Sequence, residues 1–174
     1  MAPGDYTQID DRPIYYVDTG MYDVAGYGSV YILDTDRPAL VDTGLGTNRH
    51  HIIDALDELG IDLEYIIPTH VHLDHAGGAG FLAERFPDAE VVTHERGVRH
   101  LADPERLVEG TKAAVGEMWQ YYTEPTPIAA DRIRGLADGD SVDLGSRRLT
   151  AHEAPGHVFF FKQKTAYEIH SGDW

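Results

Sequence analysis

The chain contains no cysteine, so disulfide scaffolds and cysteine-built zinc sites are excluded. It has no apolar run near the roughly 18 residues that a membrane span requires. Residues 1–17 also lack the basic-then-apolar pattern of a secretory leader, so a cytoplasmic location without a membrane partner is expected. Positive charge is scarce: 14 Lys and Arg against 30 Asp and Glu leave a formal net charge of −16. Such a surface repels phosphate backbones, and no nucleic-acid partner is expected. It resembles surfaces adapted to high salt, where screening relieves self-repulsion. What is present, 42% hydrophobic residues in a chain of 174, suits one globular domain with a core, or part of a larger one.

Composition changes near the end. Before Phe159 there is one lysine, Lys112, against eleven arginines, and two phenylalanines. Residues 159–174 hold Lys162, Lys164 and three further phenylalanines but no arginine. Such a shift can mark a linker or tail. Phe159 to Ile169 also back-translates into a T run followed by a string resembling a short-read sequencing adapter. Residues 159–174 are therefore expected to be an artefactual tail, excluded from fold reasoning. Residues 1–158 are expected to form one domain, incomplete at its C-terminal side.

Within 1–158, Pro13 to Asp18, Gly28 to Leu33, Ala39 to Val41, Tyr65 to Ile67, Glu90 to Thr93 and Arg148 to Ala151 read as strands. Thr47 or Asn48 can cap a helix running to Leu59, with Ile52, Ile53, Leu56 and Leu59 on one face and Gly60 as its stop. Further helix is expected over Phe81 to Phe86 and through most of Pro104 to Tyr122. Asp42-Thr43-Gly44 and Asp138-Gly139-Asp140 read as polar turns. Strands alternating with helices predict an α/β domain.

The chemistry concentrates in Thr69-His70-Val71-His72-Leu73-Asp74-His75. Residues two apart on an extended chain point the same way, so His70 and His72 can grip one ion. If a helix follows, Asp74 and His75 aim from its first turn toward the same cavity. Imidazole and carboxylate suit zinc, and also accept iron or manganese. A polar loop of solvated side chains is the bland alternative. Glu153-Ala154-Pro155-Gly156-His157 adds a tight turn able to present one more imidazole.

These motifs together resemble the metallo-β-lactamase superfamily, with the glyoxalase II-like hydrolases as its nearest branch. His70-x-His72-x-Asp74-His75 matches the defining motif, and Asp42-Thr43-Gly44, Asp138-Gly139-Asp140 and Pro155-Gly156-His157 match its landmarks in order. The resemblance spans about Tyr15 to His157. It implies an αββα sandwich, of which this chain carries the first half to two-thirds. It implies two metals, expected to be zinc, with His70, His72 and His157 on the first and Asp74 and His75 on the second. Asp42 would steady a ligand imidazole, and Asp74 would orient a metal-bound hydroxide and take its proton.

The implied reaction is hydrolysis of an ester, thioester, amide or phosphoester in a small-molecule substrate. The truncated chain itself is expected to be inactive, poorly soluble and limited to one tightly held zinc. The family's bridging aspartate and final histidine would lie beyond residue 158. Ser171-Gly172-Asp173 imitates the former, but inside the tail. An iron-dependent oxidoreductase of the sulfur dioxygenase kind is the alternative, with a non-catalytic metal-binding fragment as a third. The flavodiiron branch usually carries Glu where His72 stands. His50 and His51 are expected to be solvated, and His94 structural. Trp119, Tyr121 and Tyr122 are expected in a core or interdomain contact, with substrate contact as the alternative.

Overall fold

Parity along the strands writes two apolar faces into one sheet. A computed structural model describes residues 1–154 and, as backbone, residues 166–171. Strands β1 (Tyr6–Gln8), β2 (Ile14–Asp18), β3 (Ser29–Leu33), β4 (Ala39–Val41), β5 (Tyr65–Ile67), β6 (Glu90–His94) and β7 (Ile133–Leu136) lie side by side in chain order. Pairing is antiparallel from β1 to β4 and parallel from β4 to β7. Parallel neighbours require crossovers, supplied here by α1 (Arg49–Leu59), α2 (Leu73–Ala76), α3 (Ala79–Arg85), α4 (Val98–Ala102) and α5 (Glu105–Val115).

Successive side chains point to opposite faces of a strand. Val30, Ile32, Leu40, Ile66 and Val91 accordingly join the core shared with Ile52, Leu56, Leu82 and Phe86 of the helices. Leu33, Val41, Ile67 and Val92 join a second core on the other face. That face is covered by β8 (Ser141–Asp143) and β9 (Arg148–Ala154), through Val142, Leu149 and Ala151. β10 (Ala166–Ser171), within the segment that composition sets apart, lies antiparallel along β9. Helices, large sheet and small sheet thus stack as layers of the expected α/β sandwich.

Leu40 is fully buried in β4, one of the central strands. Replacing it with Ala is expected to cost about 2–5 kcal/mol, through lost burial and the cavity left behind. Urea denaturation, with the slope unchanged and the midpoint lowered, checks this.

Several boundaries differ from the sequence reading. The helix expected to run from Pro104 stops at Val115, because Gly116 turns at φ +56, and a 3-10 turn follows over Gly116–Tyr121. Neither Thr47 nor Asn48 caps α1 with its side chain. Thr47 instead donates its hydroxyl to the Tyr121 carbonyl at 2.8 Å. Gly60 does end α1, at φ 69. Among the described residues no helix is long and apolar enough to cross a membrane.

Candidate metal centre

Parallel strands β4 and β5 end together, with Val41 opposite Ile67. Their continuations, Asp42 and Thr69, therefore emerge side by side at the carboxyl edge of the sheet, where open α/β sheets bind ligands. Asp42 stands at φ 60, a left-handed conformation that Asp tolerates better than most residues. The turn it starts docks on the motif. Thr43, fully buried, donates both its N–H and its hydroxyl to the His75 carbonyl, at 2.7 and 2.9 Å. The Gly78 N–H returns a bond to the Thr43 hydroxyl oxygen at 3.2 Å. Gly78 has to be glycine here, since a Cβ would fall 2.5 Å from the Thr43 carbonyl oxygen.

One carboxylate organises the histidines. Asp42 Oδ1 accepts the Thr69 N–H at 2.7 Å and the Thr69 hydroxyl at 2.8 Å. Asp42 Oδ2 lies 2.8 Å from His75 Nδ1, and a carboxylate can only accept, so the proton on His75 belongs on Nδ1. Thr69 spends its single hydroxyl proton on Asp42. Its contact at 3.1 Å with His70 Nδ1 therefore makes Nδ1 the donor there too. Both rings thus keep Nε2 as the nitrogen with a lone pair, the arrangement by which a carboxylate fixes a metal-binding tautomer.

The three imidazoles cluster. The His70 ring centroid lies 4.7 Å from that of His72 and 4.2 Å from that of His75. Asp74 Oδ2 stands 3.5 Å from His75 Nε2. Burial works against a charged His75, but the hydrogen bond and charge of Asp42, with the charge of Asp74, hold its pKa above the ordinary imidazole value. Among the described residues, no three donors close to metal-binding geometry around one point. The donor chemistry nevertheless fits a divalent transition metal, which binds neutral imidazole: three imidazoles stand beside a carboxylate, two of them with Nδ1 as the donor, and metal binding would displace the proton that the raised pKa favours on His75.

The structure thus brings together His70, His72, Asp74, His75 and Asp42. His157 lies outside the described residues. His94, at the end of β6, accepts the Arg96 N–H on Nδ1 at 2.9 Å, a structural role as expected. The His50 and His51 ring centroids lie 4.0 Å apart on the first turn of α1 with the planes tilted by 42°, His50 exposed and His51 half-buried. Sequence reasoning missed Thr69, whose role depends on where the parallel strands β4 and β5 end.

The sequence pattern that defines the Metallo-beta-lactamase superfamily matches residues 23–161. A coenzyme F420H(2) oxidase of Methanothermobacter thermautotrophicus is 28% identical over 135 residues, 74% of this chain and 28% of that protein. An acyl-coenzyme A thioesterase of Gallus gallus is 26% identical over 158 residues, 83% of this chain and 55% of that one. The crystal structure of a subclass B3 metallo-beta-lactamase of Bradyrhizobium japonicum superposes with a TM-score of 0.68 at 30% identity. The match covers 99% of this chain and 59% of that one. The chain therefore spans less than two thirds of each of these proteins. A pattern matched over most of the chain, and a histidine–aspartate cluster at the carboxyl edge of its sheet, agree: the chain belongs to the metallo-beta-lactamase superfamily.

Proposed function

We propose that the chain carries the metal-binding part of a metal-dependent hydrolase that acts on an ester, thioester, amide or phosphoester of a small molecule. The observation that carries this reading is the Asp42 carboxylate, which sets the tautomer of His75 directly and that of His70 through Thr69. His70 and His72, with His157, would hold the first metal, and Asp74 and His75 would contribute to a second. Zinc, when bound, supplies Lewis acidity that activates water and polarises the bond to be cleaved.

The protein's own groups divide the remaining work. Asp74, half-buried beside His75, orients the attacking water and accepts its proton, so no serine or cysteine nucleophile is needed. Asp42 keeps the imidazoles aligned throughout.

Similarity to a coenzyme F420H(2) oxidase favours a second reading, an iron-dependent oxidoreductase on the same scaffold. One experiment separates the two. Protein that continues past residue 158 and carries the family's later ligands, loaded with Zn(II) or Fe(II), is offered acyl thioesters, aryl esters and a β-lactam, with product release and oxygen uptake followed together. The hydrolase reading expects zinc-supported product release that a chelator stops. Activity confined to iron, with oxygen consumed, would replace it by the oxidoreductase.

A further inference from the structure

The few cations of this protein are unevenly placed. Among the described residues, four carboxylates have an Arg or Lys partner within 4.0 Å, namely Asp57, Glu64, Glu90 and Glu124. Two further arginines serve the backbone instead. Arg132 donates to the carbonyls of Ala83, Phe86 and Ala89, and Arg49 to that of Gly46. With 30 acidic side chains in the sequence, most carboxylates have no such partner among the described residues.

Two helices of equal length show where this matters. Both α1 and α5 have eleven residues. α5 has Glu105 in its first turn and Lys112 in its last, the order that the helix dipole favours. Its like-charged pair, Glu105 and Glu109, is relieved by Arg106, three residues before Glu109. α1 has the reverse order. Arg49 stands in the first turn, and Asp57 and Glu58 in the last, with no acid at the start and no base at the end. Asp54 lies three and four residues before them, where like charges repel, and all three carboxylates are exposed. Arg85 of α3 reaches Asp57 at 3.0 Å, whereas Asp54 and Glu58 have no Arg or Lys partner among the described residues.

α1 docks against this opposition through Ile52, Ala55 and Leu56, which lie in the helix-side core. Its start is continuous with the metal centre. Arg49 donates to the Gly46 carbonyl at 2.6 Å, and Gly46 is packed so closely that a Cβ on it would fall 2.8 Å from the Gly77 carbonyl oxygen. Whatever loosens α1 therefore loosens the turn that carries Asp42 and Thr43. Distance decides how salt acts here. Side chains four apart on a helix have Cβ atoms about 5–6 Å apart. The Debye length is roughly 30 Å in 0.01 M salt and roughly 3 Å in 1 M salt, so only concentrated salt removes the repulsion. Salt weakens the four ion pairs as well, but exposed pairs contribute little. We propose that α1 is a salt-gated strut, docking fully only when concentrated salt screens Asp54, Asp57 and Glu58, so that ionic strength sets how firmly the turn bearing Asp42 is held.

Hydrogen exchange of the metal-free full chain, followed amide by amide by NMR at neutral pH in about 0.01 M and about 1 M KCl, tests this. Amides of α1 are expected to gain about tenfold more protection than those of α5. The N–H groups of Thr43 and Thr69, bonded to the His75 carbonyl and the Asp42 carboxylate, should gain about threefold more. In Glu58→Lys, α1 should already be protected in dilute salt, its salt gain cut to about threefold or less. Glu109→Lys makes the same change of net charge on α5 and should leave the α1 gain as it is. Sodium chloride should act as potassium chloride does, because screening needs no bound ion. Equal gains in α1 and α5, Thr43 and Thr69 N–H groups indifferent to salt, Glu58→Lys no more effective than Glu109→Lys, or a response to one cation alone would overturn the proposal. A chain unfolded in dilute salt should fold as KCl rises, with a midpoint lowered at least about twofold in Glu58→Lys and by less in Glu109→Lys. A chain that stays unfolded at every salt concentration would overturn the proposal as well.

Discussion

Asp42→Asn is expected to lower zinc affinity about 10-fold to 100-fold, the usual effect of removing a carboxylate that fixes ligand imidazoles. Asparagine tolerates the φ 60 backbone, so the turn survives and the effect reports the carboxylate alone. Asp42 accepts from Thr69 N–H, from the Thr69 hydroxyl and from His75 Nδ1. An amide has one acceptor oxygen and brings an NH2 that meets a donor on one side. With the NH2 toward Thr69, the Thr69 N–H goes unsatisfied, at about 1–3 kcal/mol of folding stability. With the NH2 toward His75 instead, the tautomer lock fails: Nδ1 becomes the acceptor and the proton moves to Nε2, the nitrogen a metal needs. Competition with a chromophoric chelator gives the affinity, and urea denaturation of metal-free protein gives the stability. Unchanged zinc affinity would show that Asp42 supports the fold but not the site.

Asp74→Asn should act on rate instead. In zinc-loaded protein that carries the family's later ligands and turns over a thioester or ester, kcat is expected to fall about 10²-fold to 10⁴-fold, the range for a positioned general base. Zinc held by His70 and His72 should remain. Asp74 Oδ2 lies 3.5 Å from His75 Nε2, too long for a hydrogen bond, and the Asp74 side chain is 36% exposed to solvent. Its loss therefore costs little folding stability. Zinc content by mass spectrometry beside the rate separates the two effects. A fall in KM alone, with kcat retained, would remove Asp74 from the chemistry.

Much of this arrangement was legible in the chain. Gly28 to Leu33 and the continuous apolar run Tyr65 to Ile67 read as strands because each is rich in Tyr, Val and Ile. Ile133–Leu136 and Ser141–Asp143 carried too few, being short and interrupted by Arg134, Gly135 and Asp143, and only their neighbours make them strands. The break after Val115 was missed because Gly116 sits inside an otherwise helical composition. At the site, the clustering of His70, His72 and His75 could be read from spacing. The role of Thr69 could not, because it depends on where the parallel strands β4 and β5 end. Tyr22 meets Tyr122 across a hundred residues of chain, which no local pattern encodes.

The most direct test of a metal centre is a zinc titration of the chain under competition with a chelator, for wild type and His70→Ala in parallel. At least one tightly held zinc is expected in the wild type. An affinity lower by roughly 100-fold or more is expected in His70→Ala, since a lost ligand should cost at least as much as a lost supporting carboxylate. Circular dichroism of the two metal-free proteins should coincide. Wild-type protein that is folded yet holds no zinc more tightly than His70→Ala would contradict the metal centre itself.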